Sequence, residues 1–258
     1  MSSSPARPLR ASARLALYGL MCLACIPIQA VIVALTNGPA AYALPKLFQK
    51  LSCALFGIKV RITGTPHTES QTLFICNHLS YLDIPAIGSV LKGAFVAKDE
   101  VAGWPVFGLL AKLQKTLFIS RSASKAAKER EAFETRLNEG QSMILFPEGT
   151  SSDGRQIMPF KSSLFAVFAE NKSLEIMTQP VTINVLSVDG MATDKQNIRD
   201  AYAWYGEMEL PPHLWAFAGM NGTEVELVFH DARPIDHALD RKAMARHFEE
   251  QVKAGLRP

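Results

Sequence analysis

A histidine and an aspartate five residues apart stand in the stretch CNHLSYLD, residues 76–83. The imidazole of His78 can accept a proton near neutral pH, and a nearby carboxylate would fix its tautomer and stabilise the imidazolium. Five residues along one helix turn the chain by about 500°, which leaves two such side chains about 140° apart. His78 and Asp83 therefore converge only if His78 lies in a loop and Asp83 in the first turn of the following helix. Pro85 favours a helix start at that point.

The same stretch has a second, purely structural interpretation. Ser80 and Asp83 fit the capping-box pattern, in which the carboxylate bonds only to the backbone at a helix N-terminus. His78 would then be an incidental surface residue. The spacing alone leaves the catalytic and the capping interpretations open.

A second polar loop follows at residues 146–154, FPEGTSSDG. It combines the carboxylate of Glu148 with small hydroxyls and two glycines, and glycine lets backbone N–H groups approach an anion closely. A simple polar turn would have the same composition. The sequence contains no GxxxxGK[ST] or GxGxxG nucleotide loop, no GxSxG nucleophile elbow, and no HExxH or Cys/His zinc spacing. Nucleotide binding, a serine acyl-enzyme and a zinc site are accordingly disfavoured.

The elements around these loops alternate along the chain from residue 58 onward. Short β-like runs are expected at 59–63, 72–76, 94–98, 116–120, 143–147, 180–185 and 224–230, and helices at 84–91, 104–113, 123–138, 161–170, 197–204 and 238–254. This alternation predicts an α/β fold with a central, mostly parallel sheet flanked by helices. Ligands in such sheets bind outside the carboxyl ends of the strands. Because both polar loops follow predicted strands, we expect them to meet at one edge of the sheet.

The residues before 58 predict a pair of membrane-associated helices. Positions 15–36 carry no charge over 22 residues, enough for a helix across a ~30 Å hydrocarbon core. Pro27 leaves open a kinked segment that only dips into the bilayer. Positions 40–57 have the amphipathic pattern of an interfacial helix, with an ordinary surface helix as the alternative. The chain is therefore divided into a membrane anchor, residues 1–57, and a second domain, residues 58–258.

Charge and cysteine content narrow the partners and the compartment. The formal net charge of +3 is too small to indicate nucleic-acid binding, but it is compatible with an anionic lipid surface or a phosphorylated substrate. The four cysteines lie in apolar settings without the spacing of a disulfide framework. They predict free thiols facing a reducing compartment.

Four blocks of the sequence resemble the glycerolipid acyltransferase family, typified by 1-acylglycerol-3-phosphate acyltransferase. The blocks are residues 77–83, 95–121, 146–151 and 179–181, and they arrive in the family's order. One Asn-His-x4-Asp match alone would be weak evidence for membership of the family. Four blocks in order favour the catalytic interpretation of His78 and identify residues 58–258 as an acyltransferase domain.

The resemblance implies that His78 takes the proton from the free hydroxyl of a lysophospholipid and that Asp83 orients the imidazole. The alkoxide would attack the thioester of acyl carrier protein or coenzyme A directly, so a thioester is the implied co-substrate and no metal or other cofactor is needed. The residues that the resemblance places around the acceptor are Asn77, Lys98, Arg121, Glu148, Gly149, Thr150 and Ser151. For Lys98, a solvated surface lysine is an equal alternative. The expected product is phosphatidic acid, made from 1-acylglycerol-3-phosphate at the cytoplasmic face of a bacterial inner membrane.

Other functions stay open at this point. Residues 203–217 resemble a bacterial branch that includes lyso-ornithine-lipid acyltransferases, so lyso-ornithine lipid is the alternative acceptor; the aromatic residues there are interpreted as core. A non-catalytic lipid-binding membrane protein is the alternative of another class, although it would have no need for the two loops together. A thioesterase would use water in place of the lipid hydroxyl.

Overall fold

The computed structural model describes residues 6–36, 38–120 and 126–257, leaving aside the side chains of residues 6 and 126–130. The helices are α1 (Ala6–Leu35), α2 (Ala43–Phe56), α3 (Asp83–Val90), α4 (Phe107–Leu113), α5 (Ala126–Asn138), α6 (Ala166–Glu170), α7 (Gln196–Arg199), α8 (Leu210–Gly219) and α9 (Arg241–Ala254). The strands are β1 (Ile58–Thr63), β2 (Thr72–Cys76), β3 (Ala94–Lys98), β4 (Leu117–Ile119), β5 (Met143–Leu145), β6 (Met177–Val188), β7 (Met191–Ala192), β8 (Thr223–Phe229) and β9 (Arg233–Pro234).

The strands form one sheet in the order β1-β8-β6-β2-β5-β3-β4, with β7 and β9 paired to β6. From β6 to β4 every neighbouring pair is parallel, as strands joined by helical crossovers must be. At the other side β8 runs antiparallel to β6 and parallel to β1. The predicted α/β fold with a mostly parallel central sheet is confirmed.

Helices cover both faces of the sheet, and β2 shows how the core is divided. Every residue of β2 is buried, which explains its continuous apolar sequence. Because side chains alternate along a strand, Phe74 and Cys76 pack into the cluster that includes residues of α1, α2, α3 and α8. Leu73 and Ile75 pack into the cluster that includes residues of α5, α6 and α9.

The apolar run at 15–36 lies within α1 except for its last residue. The helix begins nine residues before the run and carries three arginines in its N-terminal part. Arg14 donates to the carbonyl oxygens of Ala218 and Met220, and Arg10 donates to that of Gly219. The last carbonyls of a helix lack partners within the helix and attract cations. These arginines therefore dock α1 onto the C-terminal end of α8.

By length and composition, residues Arg7–Leu35 could cross a membrane. Large apolar side chains along α1 are exposed, among them Leu20 and Leu23, whereas Ala11, Cys22 and Gln29 are buried against the rest of the chain. Helix α1 thus presents apolar side chains on its outer side and packs its inner side against the rest of the chain. The division of the chain at residue 57 stays a prediction.

The amphipathic stripe expected at 40–57 is split in the structure. Leu47 and Leu51 of α2 are exposed, but Phe48 is buried together with Cys53 and Phe56. The helix ends at Gly57, whose φ of +73° and close approach to Asn221 leave no room for a Cβ. One side of α2 is therefore core, and only the other is available to an interface.

Three helical predictions need correction. The chain from 161 to 170 forms a 3₁₀ turn, Ser162–Phe165, before α6 begins. The helix expected at 197–204 ends at Arg199, because the backbone N–H of Trp204 is bonded to Leu79 instead. Helix α8 was not among the expected helices, although the two prolines in its first turn suit a helix start.

Candidate active site

The two polar loops leave the same edge of the sheet. Strands β2 and β5 are parallel neighbours with Ile75 paired to Leu145, so both chains emerge together at residues 77 and 146. The N–H of Ser152 donates to the carbonyl of His78 over 2.9 Å. The expected meeting of the loops is found in the structure, and the second loop wraps around the backbone of the histidine.

His78 and Asp83 form a hydrogen-bonded pair, with Nδ1 of the imidazole 2.8 Å from Oδ2 of the carboxylate. A carboxylate accepts, so Nδ1 carries the proton and Nε2 presents a lone pair. The imidazole is 21% exposed whereas the carboxylate is fully buried. The ring also stacks on Phe146, with centroids 4.2 Å apart and planes inclined by 20°. The histidine is thus held in one orientation, and its Nε2 has no hydrogen-bond partner among the described residues.

Backbone groups converge on the same carboxylate oxygen. The N–H groups of Leu79 and Ser80 donate to Oδ2 of Asp83 over 2.7 and 2.9 Å. The bond from Ser80 is half of a capping box, while the Ser80 hydroxyl accepts from Leu82 instead of completing it. Helix α3 begins at Asp83, as the sequence analysis required. The capping and pairing arrangements therefore coexist in one loop.

Glu148 holds the backbone of this loop, and both of its carboxylate oxygens accept hydrogen bonds. One of its oxygens accepts from the N–H of His78 over 2.7 Å and the other from the N–H of Met158 over 2.9 Å. The residue is only 2% exposed. Burial raises the pKa of Glu148 from 4.5 to about 7, against the two backbone N–H groups, which lower it. The carboxyl group thus fixes the backbone of His78, and acceptor contact at Glu148 stays a prediction.

Asn77 has a similar internal role. Its amide donates to the carbonyl of Ile183 over 3.1 Å and accepts from the N–H of the same residue over 2.7 Å. These bonds tie the end of β2 to β6, and the side chain is 2% exposed. The Asn77 amide thus bonds to the backbone of β6, and its contact with an acceptor stays a prediction.

The rest of the second loop forms the rim of the site. Gly149 has a φ of +65°, and a Cβ there would lie 2.5 Å from Nζ of Lys161, which crosses it. Thr150 is exposed at the rim, and the hydroxyl of Ser151 donates to the carbonyl of Trp204. The ammonium of Lys161 is exposed and has no hydrogen-bond partner in the described part of the chain.

The remaining two predicted residues lie farther along the edge or outside the structure. Lys98 ends β3, which is separated from β2 by β5, so it stands at the same edge of the sheet and is partly buried. Arg121 lies outside the described residues. Their contact with an acceptor stays a prediction.

An apolar cavity of about 210 Å³ opens beside the loop of His78 and Asp83. Tyr81 and Leu82 of that loop form part of its wall, and Phe95 links it to the stack of Phe146 on His78. Helices α1, α2 and α4 supply much of the remaining wall. Such a lining suits a hydrocarbon chain, and the loop between His78 and Asp83 forms part of it.

Comparison with known proteins identifies the family. A lyso-ornithine lipid O-acyltransferase of Brucella abortus is 37% identical over 239 residues, which cover 91% of this chain and 89% of that protein. The chain belongs to the acyltransferase family. The family model described as Acyltransferase matches residues 57–184 of this acyltransferase, which include both loops.

Two further relatives place this acyltransferase more broadly. A 1-acyl-sn-glycerol-3-phosphate acyltransferase of Neisseria gonorrhoeae is 31% identical over 193 residues, covering 73% of this chain and 71% of that protein. The crystal structure of the 1-acyl-sn-glycerophosphate acyltransferase of Thermotoga maritima matches with a TM-score of 0.64 at 20% identity, covering 97% and 96% of the two chains. The latter supports the fold alone.

Sequence reasoning missed some neighbours of the pair. Tyr202 donates its hydroxyl to Oδ1 of Asp83 over 2.9 Å, although 119 residues separate them in the chain. Lys161, whose ammonium lies beside Gly149, was not among the predicted site residues. No spacing pattern connects either of them to the loops, so only the folded chain could show that this acyltransferase brings them together.

Proposed function

We propose that this acyltransferase moves a fatty acyl group from an acyl thioester to the free hydroxyl of a lysolipid, with lyso-ornithine lipid as the acceptor. The observation that carries the proposal is the 2.8 Å bond between His78 and Asp83, which leaves Nε2 of the histidine as the base. The loop between these two residues also lines an apolar cavity. Similarity to the Brucella abortus enzyme over 91% of the chain supports the acceptor.

In the proposed step, Nε2 of His78 removes the proton of the acceptor hydroxyl as its oxygen attacks the thioester carbonyl carbon. The new C–O bond forms and the C–S bond breaks, and the leaving thiolate takes the proton back from the imidazolium. The buried carboxylate of Asp83 stabilises the imidazolium between these two events. The chemistry requires neither a metal nor another cofactor, because the thioester, of acyl carrier protein or coenzyme A, is already activated.

A second acceptor, 1-acylglycerol-3-phosphate giving phosphatidic acid, is supported by the Neisseria gonorrhoeae relative at 31% identity over 73% of the chain. The exposed ammonium of Lys161 beside Gly149 suits an anionic headgroup in either case, since an ammonium binds carboxylate and phosphate alike. The two acceptors therefore have to be separated by assay.

We place the enzyme at the cytoplasmic face of a bacterial inner membrane. The outward apolar side of α1 supports contact with lipid, and the free cysteines agree with a reducing compartment. Lysolipid acceptors reside in the membrane, so such contact would bring the site to its substrate.

Purified protein given a labelled acyl thioester with lyso-ornithine lipid, with 1-acylglycerol-3-phosphate or with no acceptor tests the proposal. His78→Ala should lower transfer by about 10²–10⁴-fold, the range of general-base catalysis. His67→Ala is the matched control, because His67 bonds Ser70 at an exposed position and should behave as wild type. Transfer to the phosphate lipid alone would refute the ornithine acceptor, and thioester hydrolysis at full rate without acceptor would indicate a thioesterase.

A further inference from the structure

Tyr202 meets the buried side of the His78–Asp83 pair. It lies in the turn after α7, is 0% exposed, and its hydroxyl donates to Oδ1 of Asp83 over 2.9 Å. The other carboxylate oxygen, Oδ2, takes all the donors of the loop itself. Among the described residues, the hydroxyl of Tyr202 is the donor that bonds to Oδ1.

We propose that Tyr202 is a positioning residue for the acyl-transfer reaction, which fixes the carboxylate of Asp83 so that Oδ2 faces Nδ1 of His78. The inference rests on the proposed function of that pair. A carboxylate can rotate about its terminal torsion, whose energy wells are broad. A donor on each oxygen, directed from opposite sides, restricts that rotation. Oδ1 is buried, so without Tyr202 it would have neither water nor a protein donor.

The position of Tyr202 is itself determined by packing. Its ring lies edge-on to Phe217 of α8, with centroids 6.3 Å apart. Two residues later the N–H of Trp204 donates to the carbonyl of Leu79, inside the loop between His78 and Asp83. The turn after α7 thus holds the loop through a side chain and through its backbone, which is what a positioning element requires.

The hydroxyl remains a donor across the range of an activity assay. Burial raises the pKa of Tyr202 well above its usual value of 10, followed by the charge of Asp83 and the hydrogen bond to it. A phenol in that state keeps its proton at neutral pH and cannot act as the general base itself. Its effect on the reaction must therefore pass through Asp83.

Other ionisable groups around Asp83 have to be considered in a pH experiment. They are His78 and Glu148 in the loops, Cys76 on β2, Tyr202, and Cys53 and Tyr81 near the tyrosine. Burial raises the pKa of Cys53 to about 12 and that of Cys76 well above 9, so both stay neutral. Burial raises the pKa of Glu148 to about 7, but a change at Tyr202 leaves this group in place.

Tyr202→Phe tests the inference in the full-length protein. We expect kcat with acyl thioester and lysolipid to fall roughly tenfold, the effect of losing one hydrogen bond to a charged group, while KM changes little. The acidic limb of the pH profile of kcat/KM should move to higher pH, because a carboxylate without this donor attracts the imidazolium more strongly. The matched control is Tyr205→Phe, which removes a tyrosine hydroxyl bonded to Asp200 over 3.0 Å and should leave kcat and the profile unchanged.

A double-mutant cycle separates positioning from general stability. In an Asp83→Asn background, adding Tyr202→Phe should change kcat by no more than about twofold, because the two residues act through one group. A residue that merely supports the fold would lower kcat by the same factor in both backgrounds, which would overturn the inference. If Tyr202→Phe does not fold, 3-fluorotyrosine at position 202 keeps the shape with a stronger donor. The acidic limb should then move to lower pH, and an unmoved limb would count against the inference.

The outcomes for Tyr202 and for the proposed function are distinguishable. Inactive His78→Ala together with fully active Tyr202→Phe, with an unchanged pH profile, would overturn the role of Tyr202 alone. Fully active His78→Ala would overturn the catalytic role of the pair and the inference built on it, whereas wild type that transfers acyl groups to neither lysolipid would overturn the proposed function itself.

Discussion

Glu148 offers a test of how the loop of His78 is held. Burial raises its pKa from an ordinary value of 4.5 to about 7. Between these two values the folded protein binds a proton that the unfolded chain has lost, so stability falls as pH rises from about 4.5 to about 7 and is level above that. At about 1.36 kcal/mol per pH unit, the loss in free energy of unfolding over this pH range is about 3 kcal/mol as an upper limit.

Glu148→Gln removes the ionisation but keeps the shape. Its amide oxygen can still accept from His78 or from Met158, but the amide nitrogen then faces the other N–H, at a cost of about 1–3 kcal/mol at every pH. We therefore expect the variant to be clearly less stable than wild type at pH 5. Near pH 8 the free energies of unfolding of the two proteins should become similar, because only wild type is destabilised by ionising the buried carboxyl group.

The measurement is urea unfolding of both proteins at several pH values between 5 and 8, in one detergent at constant ionic strength. Glu249→Gln is the control, since that carboxylate also accepts a backbone N–H, from Phe160, and its replacement should keep the pH dependence of wild type. Curves for wild type and Glu148→Gln that run parallel over the whole range would refute the reasoning.

Three further predictions follow from the contacts of the loops and helices. Asn77→Ala should lower the free energy of unfolding by about 2–4 kcal/mol, because the backbone N–H and carbonyl of Ile183 both lose their partner. The KM for the acceptor should stay unchanged. A raised KM without loss of stability would support direct acceptor binding instead. Arg14→Leu should lower the thermal midpoint by removing donors to the end of α8, measurable by circular dichroism, whereas Ser12→Ala on the same helix should not. Ala97→Phe should narrow the apolar cavity and reduce kcat/KM for long-chain acyl donors more than for short-chain donors; equal losses would show that the cavity does not hold the acyl chain.

The sequence was most informative where a local pattern matched a local cause. Strand β2 occupies the predicted residues 72–76, because a strand buried on both faces needs a continuous apolar run. Helix geometry gave the condition under which His78 and Asp83 converge, namely a loop followed by a helix start, but it left open whether they do. The structure has that arrangement, and the catalytic role of the pair stays a prediction for the assay above.

The sequence was least informative about which atoms a polar side chain meets. Asn77 and Glu148 stand in motifs that suggest contact with a substrate, yet both are nearly fully buried and bonded to backbone groups of distant residues. Their partners are contributed by β6 and by the segment around Met158, which no residue spacing reveals. Tyr202 is the converse case, an aromatic residue outside both polar loops whose buried hydroxyl meets the carboxylate of Asp83.

The hydrogen bonds at Oδ2 of Asp83 also limit how this segment can vary. One oxygen closes the chain on itself by receiving the N–H groups of Leu79 and Ser80 as well as the imidazole of His78. The number of residues between His78 and Asp83 is therefore fixed by the need to bring all three donors within hydrogen-bonding distance of one carboxylate oxygen. Inserting or deleting one residue there would misplace every donor at once. We therefore expect the length of this loop to be fixed, and burial of Leu79, Ser80 and Leu82 restricts its composition as well.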